Sequence, residues 1–230
     1  MLLTLVSCKK EEVQKPKVIY KTPAKTDAIA RDSSQVLIAD LPIHMPGTNY
    51  LIYPIASMNI YEKNIKSSYG SSSNGNEMSF KISNYSEFEI TGYLQNLKFQ
   101  EVSSDSLKAL TDKPILIQTV TYLKSVSDKT KQQVLIYTLA DSDTNRDGKL
   151  DNSDIKTLYI SDISGDNFTK LSVDFQELID WSLIESKNRL YFRTIEDTNK
   201  NGKFDKNDII HYHFADLSNK DWKVSDYSPI

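Results

Sequence analysis

An acidic segment with a central glycine occurs twice in this chain, and this repetition constrains the fold more than any other sequence feature. DTNRDGKLDNSDI at 143–155 aligns without a gap with DTNKNGKFDKNDI at 197–209, an offset of 54 residues. Weaker matches continue beyond the segment, for example Asp162 with Asp216. Self-similarity at a fixed offset of this size is typical of a duplicated structural unit. The sequence therefore predicts two copies of one supersecondary unit in the C-terminal half.

Each copy fits the twelve-residue calcium loop, which has oxygen ligands at positions 1, 3, 5, 7, 9 and 12 and glycine at position 6. Gly148 and Gly202 occupy the glycine position. In the first loop the predicted ligands are Asp143, Asn145, Asp147, the carbonyl of Lys149, Asp151 and Asp154. In the second loop they are Asp197, Asn199, Asn201, the carbonyl of Lys203, Asp205 and Asp208. We expect two Ca²⁺ ions, one in each loop.

The two loops differ in charge. Residues 143–154 (loop one) contain four aspartates against one arginine and one lysine, and residues 197–208 (loop two) contain three aspartates against three lysines. Because the number of charged ligands tunes calcium affinity, we expect loop one to bind more tightly than loop two. Position 12 is aspartate in both loops instead of the usual glutamate, and in this the loops resemble those of dockerins.

The segments that enter the loops favour β-strands. QQVLIYTLADS and KNRLYFRTIE are rich in β-branched and aromatic residues. After loop two, Ile210, Tyr212 and Phe214 alternate with His211 and His213, which is the period of a strand. The alternation also predicts that the two histidines share one strand face; we expect this to be the solvent side of a sheet, with a transition-metal site on the pair as the alternative. We expect an all-β fold in which each loop joins two antiparallel strands of a hairpin.

The phrase LYISDISGDNFTKLS at 158–172 resembles a hairpin of a TolB-like or WD-type propeller blade. NLKFQEVSSDSLKALT at 96–111 has a similar shape without a metal loop. The resemblance covers about residues 90–226 and implies propeller-like repeats of antiparallel strands, with the calcium loops inserted in hairpins. The sequence contains three blade-like units and an incomplete fourth one, whereas closed propellers usually have four to eight blades. Closure, an open stack of sheets and completion by another chain remain alternatives.

The N-terminus resembles the lipobox of bacterial lipoproteins. Leu5, Val6 and Ser7 precede Cys8, the single cysteine of the chain, at which such proteins are cleaved and lipidated. The apolar run is shorter than usual and lacks a basic leader, as a start assigned too late would produce. Lys9–Glu12 is similar to a signal that sends lipoproteins to the outer surface in one Gram-negative phylum. The resemblance implies a lipid anchor on Cys8 and a location at the outer membrane or cell surface.

Three regions follow from these features. Residues 1–8 are the remnant of the signal and the lipidation site, and residues 36–230 form the β-repeat calcium-binding domain. Residues 9–35 are polar, contain two prolines and read as a disordered tether. As a flexible coil this tether reaches about 30 Å.

Composition and motifs limit the function. The net charge of −3 and the pI of about 5.7 argue against a nucleic-acid partner. The sequence lacks a phosphate loop, a nucleophile elbow, a CxxC pair and an HExxH motif, so we do not expect an enzyme. We expect a surface lipoprotein with structural calcium that binds or scaffolds a protein or a glycan. A dockerin-like assembly module with helix-flanked loops and a surface carbohydrate-active enzyme are the alternatives.

Overall fold

The computed structural model describes residues 15–20, 35–59 and 83–230, and nearly half of these residues lie in β-strands. The predicted lipidation site Cys8 and most of the predicted tether lie outside the described residues. In chain order the elements are β1 (Gln35–Ala39), β2 (Ile43–His44), β3 (Tyr50–Asn59), β4 (Ser83–Ser86), β5 (Glu89–Leu94), β6 (Asn96–Glu101), β7 (Lys108–Ala109), β8 (Leu116–Tyr122), α1 (Lys124–Thr130), β9 (Val134–Ala140), β10 (Thr157–Asp162), β11 (Thr169–Lys170), β12 (Gln176–Ile184), β13 (Arg189–Glu196), β14 (Ile209–Asp216) and β15 (Val224–Asp226).

The strands pair antiparallel in three sheets. Sheet A has the order β1-β3-β6-β7, with β2 also paired to β3. Sheet B has the order β11-β10-β9-β8-β5-β4, and sheet C has the order β12-β13-β14-β15. Part of this antiparallel arrangement curls into a half-barrel. The mainly β, antiparallel character predicted from the sequence is confirmed, but three sheets are fewer than the blades of a closed propeller, and the described residues do not form one.

Sheet B is the central layer, and β9 shows why. Its sequence VLIYTLA is apolar except for Thr138, which is typical of a strand covered on both faces. Leu135, Tyr137 and Leu139 pack in the core shared with sheet A. Val134 and Ile136 pack in a second core with α1 and sheet C. Since successive side chains of a strand point to opposite faces, one strand contributes to both cores.

The two predicted calcium loops occupy equivalent places in the topology. Strands β8–β11 and β12–β15 are each a four-stranded meander in which neighbours in sequence are hydrogen-bonded neighbours in the sheet. Loop one joins β9 to β10, the second and third strands of the first meander. Loop two joins β13 to β14, the second and third strands of the second meander. The strand flanks predicted for both loops are therefore confirmed.

Candidate metal centres

Loop one is held in shape by bonds from its own backbone to the side chains of the predicted ligands. The Asp143 carboxylate accepts the amide N–H of Asp147 at 3.2 Å and that of Gly148 at 2.8 Å. The side-chain oxygens of Asn145 and Asp147 accept the N–H groups of Asp147 and Lys149, respectively, both at 2.9 Å. Because each acceptor lies two to five residues before its donor, the chain curls around its own polar side chains.

The last predicted ligand of loop one closes the turn. The two carboxylate oxygens of Asp154 accept the N–H of Thr144 at 2.8 Å and the N–H of Asp151 at 2.9 Å. The Asp151 carboxylate in turn accepts the N–H of Ser153 at 2.7 Å. Asp154 is only 1% exposed, and its burial raises the pKa of the carboxyl group against the opposing effect of these amide bonds.

The seven hydrogen bonds described for loop one recur in loop two, with every residue number advanced by 54. Its matched donor–acceptor pairs are Asn201–Asp197 at 3.1 Å, Gly202–Asp197 at 2.6 Å, Asn201–Asn199 at 3.0 Å, Lys203–Asn201 at 2.8 Å, Thr198–Asp208 at 3.2 Å, Asp205–Asp208 at 2.7 Å and Asn207–Asp205 at 2.8 Å. Seven bonds recur in two segments that differ in charge and share only part of their sequence. The loop conformation is therefore encoded by the residues that the copies share.

Left-handed backbone conformations also recur at the same positions. Arg146 and Lys200 at position 4 have φ angles of 58° and 55°, and Gly148 and Gly202 at position 6 have φ angles of 82° and 81°. Glycine adopts this region without steric cost, whereas other residues pay for the approach of Cβ to the carbonyl oxygen. The glycine in the predicted calcium pattern is thus required by the backbone in both loops.

The donor set of the loops consists of carboxylate, amide and carbonyl oxygens, the ligands that hard cations such as Ca²⁺ take. In the described part of the chain, no three His, Cys, Asp or Glu side chains form a group that could hold a metal ion. The loop carboxylates are directed instead at backbone N–H groups of their own loop. The donor chemistry fits calcium, and calcium binding stays a prediction.

The N-terminal segment 15–20 lies against both loops, a contact that the sequence analysis did not predict. The amide of Lys17 donates to the carbonyl of Ser153 at 3.0 Å, and the amide of Ile19 donates to that of Thr144 at 2.9 Å, both in loop one. The intervening amide of Val18 donates to the carbonyl of Gly202 in loop two at 3.2 Å. This part of the predicted tether is therefore bound to the domain.

Side chains reinforce this contact. Val18 is only 3% exposed, and the Thr144 hydroxyl donates to the Lys17 carbonyl at 3.0 Å. The Tyr20 ring lies beside Phe175, with 6.3 Å between ring centroids. Burial, followed by the charge of Asp197 and a hydrogen bond to it, raises the pKa of Tyr20 to about 12. The apolar run Val18–Tyr20 inside a polar stretch was the sequence signal for this contact.

The two neighbouring histidines have different environments, and the prediction that both face solvent is wrong for His213. His213 is 3% exposed; its Nδ1 lies 2.7 Å from an Asp226 carboxylate oxygen and its Nε2 lies 3.0 Å from the Thr194 hydroxyl. His211 pairs with Glu196 at 2.8 Å. Because both ring nitrogens of His213 already have protein partners, the pair does not form a transition-metal site.

Comparisons with protein-family models, with curated proteins and with solved structures gave no match for the chain. Among the residues described by the structure, there is no helix with the length and apolar character needed to cross a membrane.

Proposed function

We propose that this protein is a calcium-binding surface lipoprotein, anchored through lipid on Cys8, that presents a β-sheet domain as a binding or scaffold module for a protein or a glycan. The recurrence of one hydrogen-bond network in two loops 54 residues apart carries the calcium part of the proposal. An Asx-rich turn in one place has many origins, but the same seven bonds and the same left-handed positions in two loops indicate one shared requirement. A twelve-residue cation loop is such a requirement.

The calcium is structural in this proposal. The residues that would hold it are the six oxygen donors of each loop, from Asp143 to Asp154 and from Asp197 to Asp208. A bound divalent cation neutralises clustered carboxylates and stabilises a folded loop over an unfolded one. The chain itself supplies the strand ends that fix each loop and the backbone N–H groups that orient the carboxylates.

The propeller-like repeat is a finer proposal about the fold. Its support is that β8–β11 and β12–β15 are consecutive four-stranded meanders, the strand pattern of a propeller blade, with the loop inserted between equivalent strands. The anchor and the surface location rest on the lipobox resemblance at Leu5–Cys8.

The test is thermal unfolding of the full chain, with Cys8→Ser to prevent lipidation and oxidation, titrated with calcium and separately with magnesium. Calcium at about 100 times Kd stabilises by about 2.7 kcal/mol per site, and each kcal/mol raises Tm by about 2–4 °C in a chain of this size. We expect a rise in Tm that is selective for calcium and reversed by a chelator. No rise at several millimolar calcium would refute the calcium part of the proposal.

Position 5 of the two loops offers reciprocal variants, since it is Asp147 in loop one and Asn201 in loop two. We expect Asp147→Asn to reduce the calcium-dependent rise in Tm and Asn201→Asp to increase it, because ligand charge tunes affinity. Asp221→Asn is the matched control: it makes the same chemical change at an exposed aspartate outside both loops. Equal effects of the three variants would contradict the assignment of position 5 as a ligand.

A further inference from the structure

Residues 15–20 occupy a cleft between the two loops, and their backbone amides alternate between them. The N–H groups of Lys17 and Ile19 point to loop one, and the N–H group of Val18 points to loop two. An extended chain directs successive N–H groups to opposite sides, so a single strand bonds two walls at once. The pairing of Lys17 with Lys203 is antiparallel, as in a two-stranded sheet.

The cleft is shaped for a backbone and not only for side chains. A Cβ atom at Gly202 would lie 2.6 Å from the carbonyl oxygen of Val18, so the segment approaches loop two more closely than any other residue type would permit. The equivalent Gly148 has nothing within 4 Å of such an atom. Loop two therefore has a backbone contact with the segment that loop one lacks at the same position, and the side chain of Val18 is itself buried.

The acceptors for the segment are next to the predicted ligands in the chain. Thr144 stands between the ligands Asp143 and Asn145, and Ser153 directly precedes Asp154. Gly202 stands between the ligand Asn201 and Lys203, whose carbonyl is the predicted ligand at position 7. The directions of these acceptor carbonyls depend on the conformation of the loops, and an ion that orders the loops orders the walls of the cleft.

From this geometry we infer that the two loops form a calcium-controlled clamp for the chain's own residues 15–20. Calcium in both loops fixes the three acceptor carbonyls and closes the clamp, and calcium removal opens it. The inference rests on the proposed calcium function, and its consequence for the membrane rests on the proposed anchor at Cys8.

The clamp limits the distance between the loops and the proposed anchor. When Lys15 is held at the loops, seven residues of chain connect it to Cys8, and they reach at most about 25 Å. When the clamp is open, the chain from Cys8 to β1 at Gln35 is 27 residues long and reaches at most about 95 Å. With the proposed anchor at Cys8, the closed clamp therefore limits the loop face to within about 25 Å of the anchor, and opening the clamp removes this limit.

Hydrogen–deuterium exchange of the full chain carrying Cys8→Ser, in calcium and in chelator, tests the clamp. We expect the amides of residues 17–19 to exchange at least about tenfold faster in chelator, because local opening exposes them to solvent. Val18→Asp places a charge in the buried position and should give fast exchange in both conditions. Leu41→Asp makes the same charge change at a side chain that is 80% exposed, and it should behave as the parent protein. Calcium binding is measured in the same samples by titration calorimetry.

The outcomes separate the clamp from the proposed function. If calcium binds but residues 17–19 exchange fast even in the presence of calcium, the clamp is overturned and the calcium sites remain. Calcium binding with equally slow exchange in calcium and chelator would overturn calcium control of the clamp. Failure to bind calcium would overturn the proposed function together with the clamp. Unchanged protection of residues 17–19 in Val18→Asp would show that the buried Val18 side chain does not hold the segment between the loops.

Discussion

Thr144 and Thr198 hold the same position in the repeat but have different environments, and they provide a sharp test of the structure. The Thr144 side chain is 7% exposed, and its hydroxyl donates to the Lys17 carbonyl and accepts the N–H of Ile155, each at 3.0 Å. The Thr198 side chain is exposed, and its hydroxyl donates to the carbonyl of Glu196 at 3.2 Å. Valine has nearly the shape of threonine without the hydroxyl, so substitution isolates the hydrogen bonds.

The expected losses follow from burial. Thr144→Val leaves the N–H of Ile155, a residue only 2% exposed, without its acceptor, and an orphaned buried donor costs about 1–3 kcal/mol. That cost corresponds to a fall in Tm of about 2–12 °C for a chain of this length. Thr198→Val removes one exposed bond, and we expect a change within about 0.5 kcal/mol.

Urea unfolding of both variants in the full chain, with the same saturating calcium concentration throughout, measures the difference under the condition in which segment 15–20 is expected to lie against the loops. The slope of the free energy of unfolding against urea should be the same in the parent and both variants, which shows that only stability changed. Equal losses in the two variants would refute the argument, because they would mean that the contact of segment 15–20 and the burial of Thr144 do not exist in solution.

Two further predictions use the same assay. Gly202→Ala should lose more stability than Gly148→Ala: both replace a left-handed glycine at about 1–2 kcal/mol, but only at Gly202 does the new Cβ displace the Val18 carbonyl. Deleting residues 1–20 should remove the difference, and a difference that persists would contradict this explanation. Burial raises the pKa of Glu177 above its ordinary value of 4.5, against the opposing charge and hydrogen bonds of Lys156. The folded carboxyl then binds its proton more readily than the unfolded one, so Glu177 lowers stability as the pH rises from 4.5 through the folded pKa. Glu177→Gln should abolish this part of the pH dependence of unfolding, and curves that stay parallel from pH 4 to 7 would contradict it.

The loops and their flanking strands were predictable because their signals are local. The aspartates and asparagines of each loop bond N–H groups within ten residues of the same loop, and Gly148 and Gly202 supply the left-handed turn. The flanks are rich in β-branched and aromatic residues, which favour strands. For the same reason the dockerin-like alternative loses its structural basis, since strands border both loops.

The position of His213 was not predictable from alternation. Its strand β14 alternates as expected, but sheet C turns the face that carries His213 inward, where the ring lies 4.9 Å from that of Phe192. Which face of a strand is buried depends on the layers packed against it, and periodicity alone does not contain that information.

By itself the sequence determined the β class, the duplicated loops, their left-handed glycines and their oxygen-rich donor sets. The tertiary structure alone decided that sheet B separates two cores, that Thr144 is buried where Thr198 is exposed, and that residues 15–20 lie between the loops. The physical reason is the sequence separation of the residues that interact. A loop bonds to itself over a few residues, whereas Lys17 and Lys203 meet only after 185 residues of intervening chain have brought both loops to the same place.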